Sequence, residues 1–404
     1  MTTETVTPAP SSGKLSVRSL LQSNLRDFGL VIALLVIMVF FQITTNGVLF
    51  KPVNLTNLIL QNSYIIIMAL GMLLVIIAGH IDLSVGSVSG FIGAVAAILM
   101  VTYKLPAIPV GLLCLIIGAV VGAAQGYWIA YLKIPSFIVT LAGMLVFKGL
   151  SLAVLGGASV GPFPTEFQLL SAGFIPDLIG PWNIGGTPLH ATTLVIGVVI
   201  VAAMLITGFR TRTRRISNGY DAEPTALYIV KNAIIALLIL FFTYLLASYK
   251  GLPNVLIVMS ILITLFVFIT KRTTLGRRIY ALGGNSKAAQ LSGIKTERLT
   301  FIVFIIMGVL AAVAGLIFAA RLNTATPKAG QGFELDVIAA VFIGGASAMG
   351  GVGQVAGAVI GAFIIGVMNN GMSIMGVNID WQQVIKGLVL LGAVVFDVYN
   401  KKKA

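Results

Sequence analysis

Cysteine, histidine and acidic residues are scarce in this 404-residue chain, which has one Cys, two His and twelve Asp plus Glu. Cys114, His80 and His190 cannot assemble a metal cluster, and neither an H-E-x-x-H helix nor a paired-cysteine spacing occurs. Charged residues of both signs make up 9% of the chain against 58% hydrophobic, with a mean hydropathy of +1.04. So little polar surface cannot cover a water-soluble globule. The glycine-rich stretch 344–353 lacks the Gly-Lys-Ser/Thr ending of a phosphate loop, so the chain has no nucleotide site of its own. No loop is long enough to hold a soluble signalling domain, which argues against a receptor or scaffold. No cofactor is expected.

What the chain does have is long apolar runs, at 28–43, 58–78, 84–101, 106–131, 137–155, 191–209, 233–247, 255–269, 301–320, 337–349, 352–368 and 384–396. Runs of this length suit a bilayer core about 30 Å thick, and lipid leaves no free backbone group satisfied, so each run is predicted to be a helix. The expectation is an all-α polytopic membrane protein of 10 to 12 transmembrane helices. Residues 1–27 read as a disordered cytoplasmic tail, 28–398 as one transmembrane domain, and 399–404 as a basic cytoplasmic tail.

The basic residues set the orientation, because they resist translocation. With the N-terminus inside, nineteen of the twenty-six Lys and Arg fall in cytoplasmic segments and five in outer loops, while Lys148 and Lys386 fall within spans. Both termini are thereby placed in the cytoplasm. The net charge of +14 is dispersed between spans, so it needs no nucleic-acid partner.

Gly118-Ala-Val-Val-Gly-Ala recurs as Gly357-Ala-Val-Ile-Gly-Ala, within the glycine ladders Gly118, Gly122, Gly126 and Gly353, Gly357, Gly361. Glycines four apart share a helix face and permit close helix packing. The two copies run in opposite directions across the predicted membrane, as in an inverted internal repeat. Shared small-residue packing is the other reading of the match.

Four segments carry a resemblance. They are 274–294 (Thr-Leu-Gly-Arg-Arg-Ile-Tyr-Ala-Leu-Gly-Gly-Asn-Ser-Lys-Ala-Ala-Gln-Leu-Ser-Gly-Ile), 78–87 (Ala-Gly-His-Ile-Asp-Leu-Ser-Val-Gly-Ser), 134–141 (Ile-Pro-Ser-Phe-Ile-Val-Thr-Leu), and Glu334-Leu-Asp leading into Gly344-Gly345 and Gly350-Gly351. From about Leu30 onward the chain resembles the ribose- and xylose-type permeases of bacterial ABC importers. Two extra spans between Arg210 and Lys271 make it more similar to the xylose and multiple-monosaccharide permeases. The resemblance implies a permease fold like that of vitamin B12 importers, in the bacterial inner membrane. It also implies a homodimer, ABC ATP-binding subunits below, a periplasmic sugar-binding protein above, and a monosaccharide as cargo.

On that resemblance the loop 271–299 couples to the ATPase through Gly276, Arg277, Arg278, Tyr280, Ala281, Gly283, Gly284, Asn285, Ala288, Leu291, Ser292 and Gly293. A short helix at 287–292 is expected, with Gly283, Gly284 and Gly293 as flexible breaks. Asp82 and Ser84 have two readings, as a helix cap at the cytoplasmic boundary and as a gate. Lys148 either faces the pathway or snorkels outward. Gln125, Asn369 and Asn370 are pathway candidates or interfacial groups. Glu334 and Asp336, two positions apart at the start of a short run, mark an outer boundary or docking surface rather than a catalytic pair. An ion-driven secondary transporter would instead carry paired membrane-depth carboxylates, and a branched-chain amino-acid permease would share the glycine-rich helices.

Overall fold

The computed structural model describes residues 17–184, 187–220 and 224–403. Five helices open the chain: α1 (Val17–Thr44), α2 (Pro52–Ile77), α3 (Val85–Ala97, prolonged by a π-helical turn at Ile98–Thr102), α4 (Ala107–Ala130) and α5 (Ser136–Val154). A cap follows, built from α6 (Thr165–Gln168) and the antiparallel hairpin of β1 (Pro181–Ile184) and β2 (Thr187–His190). Then come α7 (Ala191–Ser217), α8 (Thr225–Ala247), α9 (Asn254–Arg272), the short α10 (Thr274–Gly284) and α11 (Ser286–Leu291), and finally α12 (Thr296–Leu322), α13 (Phe333–Ile343), α14 (Val355–Ile374) and α15 (Ile379–Lys403). Proline stands at the N-cap of α4, α5, α6, α8 and α9 with extended backbone. Its fixed φ and missing N–H stop a helix from running back through it, so these prolines set where the helices start.

Among the described residues ten helices are long and apolar enough to cross a membrane, and the apolar part of α1, Gly29–Thr44, is shorter. The chain forms an all-α polytopic membrane protein. Three expectations need correction. The run 337–349 is not one helix, because α13 ends at Ile343 and a glycine loop follows it. Of the supposed tail, 1–16 lie outside the described residues, but 17–27 are already helical, and α15 continues to Lys403. The cap hairpin was not foreseen.

The two halves of the core repeat each other upside down. α2 packs antiparallel to α12, with Gly71 against Met307 and Leu310, and Tyr64 against Phe318. α4 packs antiparallel to α12, and α14 antiparallel to α2. α3 runs parallel to α12, with Gly93 beside Ala319, and α13 runs parallel to α2. The order α2–α5 is thus repeated by α12–α15 with the senses exchanged. The matching glycine motif does not make matching contacts, however. Gly118, Gly122 and Gly126 of α4 lie on α12 at Gly308, Phe304 and Phe301. Gly357 and Gly361 of α14 lie on Gly344 and Ala340, and Gly353 sits in the loop before the helix.

Two faces result. The cap face holds 156–184 and 187–190, tied to Ala325 through Val160 and to Pro253 through Phe174. The opposite, basic face holds α10 and α11, the arginine-rich end of α7, and the ends of α9 and α15.

Candidate functional site

On the basic face, α10 is an amphipathic helix whose Thr273 cap accepts a hydrogen bond from the Gly276 N–H at 3.2 Å. Its Ile279 and Leu282 are buried while Arg277, Arg278 and Ala281 face out. Asn285 ends α10 and caps α11, its Oδ1 accepting from Ala288 N–H at 2.9 Å. The helix expected at 287–292 is α11, but a second helix precedes it where a loop was expected.

Gly283 is not a flexible break. A Cβ there would strike the Ile77 carbonyl oxygen at the end of α2 and the Gly351 N–H. That N–H also donates to the Ile77 oxygen at 2.9 Å. The Tyr280 hydroxyl donates to the Gly353 carbonyl at 2.6 Å, and burial raises its pKa above the ordinary tyrosine value. α10 is therefore keyed at once to the end of α2 and to the glycine loop that completes α13. A Cβ at Gly284 would meet nothing within 4 Å, and Ala288, Ser292 and Gly293 are exposed. Leu291 is 90% exposed, the barest large apolar side chain of the described residues. Beside this junction a cleft of about 390 Å³ reaches His80 and is crossed by the Lys133–Glu297 ion pair at 3.0 Å.

Between the ends of the halves, α3 is preceded by an irregular stretch. Residues 78–84 are non-helical and climb from the end of α2 past Ser136 and Thr140 of α5. Asp82 is buried there, its Oδ1 accepting from Ser84 N–H at 2.8 Å and Ser84 Oγ at 2.7 Å. Gln125 Nε2 donates to Ser84 Oγ at 2.9 Å. This buried cluster sits at the N-terminus of α3, where the helix dipole favours negative charge. One turn on, Gly86 and Gly90 of α3 lie against the backbone of Gly330 and Ala329, just before α13. The first turns of α3 thus lie against the segment that leads into α13.

The remaining candidates separate. Asp336 is buried rather than presented to a docking protein, paired with Lys386 of α15 at 2.9 Å and with the Asn369 amide at 3.2 Å. Glu334 has one buried carboxylate oxygen beside Gly86. Asn370 exchanges amide hydrogen bonds with Asn54 of α2, at 2.9 and 3.1 Å. Lys148 is exposed on α5 beside exposed Leu145 and Leu152. Sequence reading missed Ile77, marked Gly351 only as part of a glycine-rich motif, and noticed Lys386 only as a charge within a span.

A family profile described as branched-chain amino acid transport system / permease component matches residues 54–180 and 178–394. The xylose transport system permease protein of Haemophilus influenzae is 41% identical over 94% of this chain and 98% of its own length. The Escherichia coli xylose transport system permease protein is 40% identical over 98% and 97%. The Escherichia coli ribose import permease protein is 35% identical over the whole of both chains. No solved structure matches. Extensive helix and full-length likeness agree, and the chain belongs to this family of transport-system permease components, alongside the xylose and ribose import permeases.

Proposed function

We propose that this chain is the membrane subunit of an ATP-driven importer that carries a monosaccharide inward, xylose in preference to ribose because the xylose permeases are the more similar relatives. The basic face is cytoplasmic, both termini lie there, and two copies form the pathway between ABC ATP-binding subunits and a periplasmic sugar-binding protein.

The observation that carries this reading is the seating of α10 on Ile77, Gly351 and Gly353. A helix pushed from below moves the end of α2 and the loop of α13 together, and with them the start of α3 and the segment before α13, which meet at Gly86 and Gly330. α11, with bare Leu291, is the part offered to the ATPase. Asp82, Ser84 and Gln125 form the inner hinge of that movement. The exposed face of α5 borders the pathway, because the Lys148 ammonium at span depth requires water or a partner copy. A crevice of about 370 Å³ between α4 and α5 leads to Gln125. Two of the buried carboxylates that an ion-driven carrier would use are already committed, Asp82 to Ser84 and Asp336 to Lys386.

The test is reconstitution in vesicles with the partner ATPase and binding protein, following uptake of xylose, arabinose, galactose, glucose and ribose. ATP-dependent uptake with xylose foremost is expected. Uptake that continues without the ATPase and collapses with an ion gradient overturns the proposal.

A further inference from the structure

α15 is an unbroken helix of 25 residues, yet it packs chiefly on one neighbour, the 11-residue α13. It stands off from α1 and α14 across an apolar cavity of about 1040 Å³, with Val389 and Ala393 on its own wall and Ile37 and Met368 on the far one. On its other side Leu388, Leu391 and Val395 are exposed. Two polar pins hold it. Toward the cap face, Lys386 pairs with Asp336 of α13 at 2.9 Å. At the basic face, the Asp397 carboxylate accepts from Ser347 Oγ at 3.0 Å and from the Ala348 N–H at 3.2 Å. The pins are in register, eleven positions separating Asp336 from Ser347 and eleven separating Lys386 from Asp397. Eleven residues bring a helix back to the same face after about three turns, or about 16 Å. α15 therefore runs parallel to α13 and spans the point at which α13 stops.

At that point Gly344 and Gly345 follow the helix, the second in the left-handed region at φ +83°. Beyond them 347–352 closes on itself, the Ser347 N–H donating to the Val352 carbonyl at 3.0 Å and the Gly350 N–H to the Ser347 carbonyl at 3.0 Å. Ser347 is fully buried in this turn. The same turn receives α10, through the Gly351–Ile77 bond and through Tyr280 on adjacent Gly353. A helix needed only to fill the edge of the bundle would bury an apolar face against its neighbours; this one leaves a cavity there and grips both sides of the break. We propose that α15 is a strut: Asp397 takes up movement of the glycine turn, and the unbroken helix delivers it to Asp336 at the head of α13, past Gly344 and Gly345. Asp397 is a positioning residue, acting through Ser347 and Ala348. The inference rests on the ATP-driven stroke proposed above.

Two measurements on the full chain, reconstituted with its partner ATPase and binding protein, test the strut. In the first, xylose uptake per ATP hydrolysed is expected to fall severalfold in Asp397→Ala, and Asp397→Asn, whose amide oxygen still accepts both bonds, should rescue it. In the second, Ile379→Cys places a thiol at the exposed start of α15, while the native Cys114 is buried. Maleimide labelling of position 379, read on this chain after separation from its partners, is expected to change in rate when ATP is trapped with vanadate. Asp397→Ala should abolish that change and leave the ATP-free rate as it was. A contact that merely holds α15 in place would shift the ATP-free rate instead. That result overturns the strut, as does an ATP response that Asp397→Ala leaves intact. Ser347→Ala, which removes one of the two donors, should show a partial loss of the response; a full response there also counts against the strut, so the decision does not depend on one variant folding. A wild-type complex without ATP-driven uptake would overturn the importer reading, whereas one that transports, beside an Asp397→Ala complex that responds equally, places the failure in the strut alone.

Discussion

A methyl group at position 283 has nowhere to go, because the Ile77 carbonyl and the Gly351 amide already fill its place. Its neighbour Gly284 is helical, and open space surrounds its Cβ position. Gly283→Ala is therefore expected to lift α10 off α2, at about 1–3 kcal/mol of overpacking strain, and to cut ATP-dependent uptake severalfold while membrane amounts stay normal. Gly284→Ala should leave uptake unchanged. Equal behaviour of the two variants would remove the seating of α10 from the mechanism. The Asp336–Lys386 pair allows a second comparison. Lys386→Met strands a buried carboxylate and should cost about 2–3 kcal/mol, below the range for fully buried pairs because the lysine is partly exposed. Adding Asp336→Asn should recover most of the loss in thermal midpoint, and a double variant no better than Lys386→Met alone would show that the pair is not what holds α15. Neither the tightness at 283 nor this pairing was legible in the sequence. Adjacent glycines look alike as letters, and the partners lie 50 positions apart with only an intramembrane charge as a hint.

At the scale of elements, the sequence announces what is long and apolar. The runs over 58–78, 106–131 and 301–320 coincide with α2, α4 and α12, because nothing but a helix satisfies their backbone in lipid. It conceals what is short. α13 is only 11 residues long, and its apolar run continues into a glycine loop that periodicity cannot distinguish from helix. α10 reads as a basic loop, because its Gly283 and Gly284 suggest breaks, yet Gly283, like Gly276, is required by close backbone contact. The 78–84 stretch reads as a boundary turn, but its acid is satisfied internally by Ser84 and so tolerates burial. These short elements carry the proposed movement, and one atom tests the link. Tyr280→Phe removes the hydroxyl that donates to Gly353, a loss of about 1 kcal/mol. Uptake per ATP hydrolysed is expected to fall while ATPase activity persists. Unchanged stoichiometry would mean that the glycine loop does not transmit the stroke through this bond.

For the whole molecule, the alternation of basic and nearly uncharged loops becomes a physical division into two faces, with α10 and α11 on one and the cap on the other. Which face meets the cytoplasm rests on the tendency of lysine and arginine to stay inside, and the chain offers a clean way to measure it. Its one cysteine, Cys114, is buried between α3 and α4, so it contributes little background to thiol labelling. Leu291 on α11 and Leu178 in the cap are 90% and 81% exposed, and neither holds the core together. In separate Leu291→Cys and Leu178→Cys variants, a membrane-impermeant maleimide applied to spheroplasts is expected to label position 178 at once. Position 291 should react only after the membrane is permeabilised, and partner ATPase should then shield it, because α11 is the segment assigned to that contact. Labelling of 291 from outside would invert the proposed orientation. Labelling that the ATPase leaves undiminished would keep the orientation but move the docking surface elsewhere on the basic face.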